Sequence, residues 1–474
     1  PNEPPVDAKA VRLEAGLKGP WGGLVSASRF RCHVYCGPMH GFEQGDLIVR
    51  PNWLMAGSLG LLLGIAIVGY LSARGRKFVR KSALPPSVDL SRRSELLDRI
   101  LKWRPLQFMA VLPFLTLFMV GVLAALFGTK VGGRNMGVML TWVGWMSLLT
   151  LVLIPLGGRI WCLVCPLPVL GEILQRGETI QVRSGGSGRY GNRFLGLARP
   201  WPRKLRGPWI RLILFLGLGT FSASLAGQPG WTGITLLALV LLPVMMSFVW
   251  ELRAFCRYVC PVAAYISPYS TTARLMVRSR DKGVCRGCLE KSCLKGNDRG
   301  WACPYGLTLA TLESNVDCGF CTECFKSCPH DNVSLMWRKG PWFQSGAGYG
   351  EAWQVIVLLV LSLVYSLTVH APWPFMRDVV NVIDKATWPQ FGLYAATLWA
   401  LALGAFPLLF WASAGLGLKL AGPWGRRSND VGITPGLAFR RTIPALIPFG
   451  LAMWMAFFTA TIMVNFTFIL LSFS

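Results

Sequence analysis

The sequence predicts a mostly α-helical, polytopic membrane fold, and three features carry that expectation. Stretches of about 20 predominantly apolar residues, the length that crosses the hydrocarbon of a bilayer, recur along a chain that is 53% hydrophobic, with mean hydropathy +0.46. The connections between these stretches alternate strictly between basic and nearly charge-free. Eight cysteines gather in one connection, from Cys285 to Cys328.

Residues 1–52 are polar and precede any span. The chain begins at Pro1, and an upstream segment is expected to have preceded it. About eight spans follow, near Trp53–Ser72, Leu106–Gly128, Gly137–Leu156, Ile210–Ala226, Trp231–Trp250, Ala352–His370, Gln390–Ala414 and Ala445–Leu471. The domains expected from this division are 1–52; a first span and basic loop, 53–104; two membrane hairpins, 105–270; the cysteine-rich insert, 271–350; and three C-terminal spans, 351–474.

A formal charge of +26 would fit nucleic-acid binding if it formed one patch. Instead the excess lies in loops 73–104, 158–207, 251–350 and 416–441, while loops 129–136, 227–230 and 371–389 carry few basic residues. This is the pattern of cytoplasmic loops retained by positive charge. It puts the insert in the cytoplasm and both termini on the outer face. The span middles lack Asp, Glu and Lys, which disfavours proton relays and ion paths. Only His33, His40, His330 and His370 occur. That leaves no membrane pair for a haem and no Cys-x2-Cys-His attachment motif.

Eight of the fourteen cysteines fall in Cys-x2-Cys or Cys-x3-Cys groups closed by Pro, a metal-cluster pattern of a reducing compartment rather than a disulfide scaffold. Cys318, Cys321, Cys324 and Cys328-Pro329 have the C-x2-C-x2-C-x3-C-P spacing of two-cluster ferredoxins. Cys285, Cys288, Cys293 and Cys303-Pro304 are a looser version. In such runs the fourth cysteine ligates the other cluster. One 4Fe–4S cluster is therefore expected on Cys285, Cys288, Cys293 and Cys328, and a second on Cys318, Cys321, Cys324 and Cys303. Zinc also takes four thiolates, but zinc ribbons pair two knuckles across a long gap, whereas here three cysteines sit within seven residues.

Two more motifs end membrane hairpins: Arg159-Ile-Trp161-Cys162-Leu-Val-Cys165-Pro166 and Arg253-Ala-Phe255-Cys256-Arg-Tyr-Val-Cys260-Pro261. They look like an internal duplication about an axis along the membrane normal. Cys162, Cys165, Cys256 and Cys260 would then meet at one depth and supply the ligands of a third 4Fe–4S cluster. A redox-active dithiol and plain helix-end thiols are the competing readings.

These cysteines, in this order, resemble the membrane polyferredoxins NapH, NosR and MauN and the related CcoG, over roughly residues 100–335. The resemblance implies a bacterial inner-membrane protein. NapH and NosR are associated with electron delivery to periplasmic reductases, and CcoG with copper reduction during oxidase assembly. Cys162 and Cys165 are one residue closer than is usual in that family. No flavin-binding N-terminal domain is seen, and the last three spans extend beyond the match.

Cys32-x3-Cys36-x3-His40 resembles the ligand loop of dinuclear-copper cupredoxins, whose thiolate and imidazole ligands suit copper. The Met expected three residues after the His is Glu43, and no His precedes His33. A copper site completed by other sequence, a relic and a Cys32–Cys36 disulfide all remain open.

Three functional classes follow. The first is an electron-transfer subunit of an oxidoreductase complex, exchanging electrons between quinol or a cytoplasmic donor and haem- or copper-containing partner subunits. The second is an assembly factor that reduces copper or thiols. The third is a redox-sensing or structural subunit stapled by its clusters.

Overall fold

The computed structural model describes residues 27–31, 44–48, 87–178, 180–182, 195–339, 348–367, 379–421 and 434–471. The chain divides into two units, Pro1–Ala83 and Leu84–Ser474.

In the first unit, strands β1 (Ala27–Arg31) and β2 (Gln44–Ile48) pair antiparallel, with Ala27 opposite Ile48 and Arg31 opposite Gln44. In sequence, Cys32, Cys36 and His40 lie between these two strands. They and the expected first span, Trp53–Ser72, fall outside the described residues.

The second unit is a helical membrane protein. Among its described residues seven helices are long and apolar enough to span a bilayer: Leu106–Phe127, Met136–Gly157, Trp209–Gly227, Pro229–Val249, Tyr349–Ser366, Trp388–Gly417 and Pro435–Phe466. Leu106–Phe127 shows why. Its 22 residues contain no charge, and at 1.5 Å each they extend about 33 Å, slightly more than the hydrocarbon thickness.

The hairpin corners are closed by side chains that satisfy helix-end backbone groups. Buried Asn135 donates to the Ala124 and Thr129 carbonyls, at 2.7 and 2.8 Å, and accepts from the Val138 N–H. Thr232 donates to the Leu225 carbonyl and accepts from the Trp142 indole, which ties one hairpin to the other.

The last span begins earlier than hydropathy predicts. Residues 435–441, expected in a basic loop, are helical because Thr434 caps the Leu437 N–H at 3.3 Å and Pro435 occupies the first turn. Arg440 there lies over the Tyr349 ring at 5.2 Å, so its charge is accommodated at the helix end.

The insert is built on a three-stranded antiparallel sheet, β3 (Ser87–Asp89), β5 (Val333–Arg338) and β4 (Leu275–Ser279), with β5 central. Both cysteine groups lie between β4 and β5. Strand β3 comes from the basic connection before the second expected span, so that connection completes the insert's sheet. Asp89 fixes it there by accepting from the Arg92 N–H and the Arg280 guanidinium.

Helix Tyr349–Leu367 runs through the middle of the bundle, with every residue from Val355 to Leu361 buried. Around it pack Leu149, Leu212, Leu216, Tyr265 and Trp454. Helix crossings elsewhere depend on small residues that let backbones approach. A Cβ on Gly137 would stand 2.7 Å from the Ala125 Cβ and closer still to the Gly121 carbonyl. Gly137→Val should therefore push the first hairpin apart at about 1–3 kcal/mol. Thermal unfolding should show a midpoint lowered by several degrees, and an unchanged midpoint would refute the close crossing.

Candidate metal-cluster sites

The two membrane-edge motifs are built alike up to their first cysteine. Each follows a span and opens on a residue in the left-handed region, Gly158 (φ 61°) and Leu252 (φ 59°). Glycine takes this conformation freely, whereas leucine is strained in it. A Cβ at Gly158 would also stand 2.7 Å from Ser270. The next residue in each is a buried arginine, Arg159 and Arg253.

The two guanidiniums cross. Arg159 donates through Nη2 to the carbonyl of Cys256, at 3.3 Å, and Arg253 donates through Nη1 to the carbonyl of Cys162, at 3.2 Å. Each motif thus holds the other's first cysteine, as a two-fold related pair would.

The unequal spacing of the cysteine pairs has a local cause. Cys162 lies on the short α-helix Trp161–Val164, just before Cys165. Cys256 lies on a π-turn, Phe255–Val259, closed by the Cys260 N–H on the Phe255 carbonyl at 2.8 Å. The wider turn absorbs the extra residue. All four cysteines line one small cavity, together with Trp161, Leu167, Phe255, Ile266 and Tyr305.

Tyr305, which follows the Cys303-Pro304 pair, closes this cavity. Its ring lies between the two arginines, 5.1 Å from Arg159 and 5.8 Å from Arg253. It also packs so closely on the Cys318–Cys321 loop that a Cβ on Gly319 would fall inside its contact distance. One ring therefore touches both the membrane-edge site and the insert.

Within the insert the cysteines form two neighbouring groups. Asn332 bridges the first, donating through Nδ2 to the Cys285 sulfur at 3.2 Å and through its backbone N–H to that of Cys328 at 3.4 Å. Cys288 lies within electrostatic reach of Cys285, and Cys293 within reach of Cys285 and Cys328. In the second group, Cys324 lies within electrostatic reach of Cys321, Cys318 and Cys303, and also of Cys293 from the first. Cys293 reaches Cys303, and Cys318 reaches Cys162 at the membrane edge.

Backbone N–H groups are gathered onto these sulfurs. The Leu307 N–H donates to Cys303 at 3.4 Å. Those of Phe320 and Glu323 face Cys318 and Cys321, and those of Leu167 and Ala263 face Cys165 and Cys260. Phe320 and Thr322, both in the left-handed region, turn the chain so that successive amides face inward, a concavity that binds anions and iron–sulfur centres.

Without compensating cations the thiols are hard to ionise. Burial raises the Cys260 thiol to about 11 and Cys318 to about 12, and raises Cys256 and Cys324 as well, with neighbouring cysteines adding to the effect. All twelve described cysteines are free, not disulfide-bonded. Among the described residues no three His, Cys, Asp or Glu side chains converge as they would on a single metal ion. Four thiols line the membrane-edge cavity, the donor number that one iron–sulfur cluster takes.

Arg253 is balanced by buried Glu172, whose two carboxylate oxygens accept from Nε and Nη2 at 2.5 and 2.6 Å. Arg159 has only half-exposed Asp317, at 3.8 Å. Sequence reasoning singled out both arginines as part of the repeat but not Tyr305, Glu172 or Asn332. Tyr305 was signalled only by its place after the Cys-Pro pair.

Replacing Glu172 by Gln should leave Arg253 buried and unpaired, at about 3–5 kcal/mol, with the loss visible as reduced thermal stability of the membrane-edge region. Burial opposes ionisation of Glu172, but Arg176 and Arg253 overcome it and hold its pKa at about 2, below the ordinary value of 4.5. The pair's contribution is therefore complete above about pH 4.5 and lost as pH falls towards 2. The acid limb of a stability–pH profile should flatten in Glu172→Gln, and a limb of unchanged slope would exclude this assignment.

No protein-family model, curated protein or solved structure matches the chain, so the reading of these sites rests on their residues and geometry.

Proposed function

We propose that this chain is an integral membrane iron–sulfur protein of the polyferredoxin type, carrying electrons between a quinol or cytoplasmic donor and partner redox subunits. Cys285, Cys288, Cys293 and Cys328 would hold one 4Fe–4S cluster, and Cys318, Cys321, Cys324 and Cys303 a second. Cys162, Cys165, Cys256 and Cys260 would hold a third. Bound there, such clusters supply one-electron transfer at potentials set by charge, hydrogen bonding and exposure.

The observation that carries this reading is the membrane-edge cavity, where two repeated motifs bring four thiols together against two buried guanidiniums. Arginine is always charged; Glu172 balances Arg253, but buried Arg159 has its carboxylate, Asp317, only at 3.8 Å, and a negative occupant would offset that remaining charge. A cubane held by four thiolates is negative. The N–H donors aimed at the sulfurs support the same assignment, since they stabilise sulfur-borne charge. The electrostatic proximity of Cys293 to Cys303 and of Cys318 to Cys162 supports a relay from the insert to the membrane edge. The basic loops support an orientation with that edge cytoplasmic and both termini outside, and the family resemblance implies a bacterial inner membrane.

Protein purified without oxygen should contain three 4Fe–4S clusters. Cys162→Ser combined with Cys256→Ser should remove one of them, lowering iron from about twelve to about eight atoms per chain, and the remaining spectrum should be that of the insert pair. Iron content and electron paramagnetic resonance signals indistinguishable from wild type would rule out the membrane-edge cluster.

A further inference from the structure

A second cavity, of about 390 Å3, opens beside the four-cysteine site and shares Arg253 and Tyr305 as a wall. It lies where one span begins, at Pro208, and another has just ended, at Glu251, so it sits at the level of the membrane surface. Nothing in the relay uses it.

Four guanidiniums line this cavity, those of Arg206, Arg211, Arg253 and Arg257, and three carboxylates, those of Glu251, Asp317 and Glu351. Arg253 is committed to Glu172, Asp317 leans on Arg159, and Glu351 accepts the Gly348 N–H at 2.9 Å. Arg211 is 5% exposed. It spends Nη1 on the Arg257 carbonyl and Nη2 on the Gln354 side chain, both at 3.3 Å, and its buried Nε–H has no partner. That donor belongs to the first turn of the 19-residue helix Trp209–Gly227, whose unpaired N–H groups and dipole favour an anion. Trp201 stacks on Tyr258 at 5.2 Å and Arg257 covers the Tyr258 ring at 5.4 Å, aromatic furniture typical of the interface.

We infer that this cavity binds a phosphodiester monoanion, the chemistry of a phospholipid headgroup, with Arg211 and Arg206 as its principal donors. The lining carries one more guanidinium than carboxylates, which matches a single negative charge and disfavours a dianion. Arginine's planar fork is the usual partner of phosphate oxygens.

The test uses the full chain, stripped of lipid in a neutral detergent. Binding of short-chain phosphatidylglycerol, its deacylated headgroup diester and inorganic phosphate is measured by titration calorimetry and native mass spectrometry at fixed ionic strength. The wild type should bind one phosphatidylglycerol. Arg206→Gln, whose exposed side chain makes misfolding no concern, and Arg211→Gln should each weaken that binding about tenfold. Preference for the intact lipid over the diester identifies the membrane as the source, and equal binding of the two identifies a soluble phosphodiester. Both outcomes uphold the site. Absent binding, equal affinity in wild type and Arg206→Gln, or tighter binding of phosphate than of either diester would overturn it.

Discussion

Two arginine side chains that cross between repeated motifs set the arrangement of everything near the membrane edge. Arg159 reaches the carbonyl beside Cys256, and Arg253 reaches the one beside Cys162. Each bond joins a residue after one span to a cysteine after another. A buried charge-assisted hydrogen bond is strong, and leaving either partner unmatched is costly. The two hairpins therefore reach low energy only when both cysteine pairs face one cavity. Both arginines follow a residue of positive φ, Gly158 without strain and Leu252 with it.

Tyr305 extends this constraint into the insert. A ring held between two guanidiniums and pressed on the Gly319 backbone leaves the Cys318–Cys321 loop little freedom relative to the membrane edge. Glu323 adds a second tie. It accepts from Arg104, Lys326 and the Trp301 N–H, so the base of the first hairpin, the helix carrying Cys324 and the strand of chain before Cys303 share one buried carboxylate. The four-cysteine cavity and the insert are thus joined through buried side-chain contacts as well as through the connecting chain.

The same economy appears in the relation between spacing and helix type. Two cysteines three apart sit at an α-turn, and two cysteines four apart sit at a π-turn, with both pairs ending on the same cavity. A one-residue difference that reads in the sequence as a departure from symmetry is absorbed by widening a single turn.

The sequence by itself determined the helical membrane character, the approximate places of seven spans and the duplication of the cysteine motifs, because uninterrupted apolar length and residue spacing are local properties of the chain. Tertiary structure alone decided that residues 87–89 join the insert's sheet, that the last span begins at Pro435, and that Tyr305, Glu172 and Asn332 belong to the sites. Each of these depends on a partner far along the chain: Met336 opposite Asp89, Tyr349 under Arg440, Arg253 against Glu172. No local pattern encodes which distant charge or ring will neutralise a given buried group, and only the folded chain brings the two together.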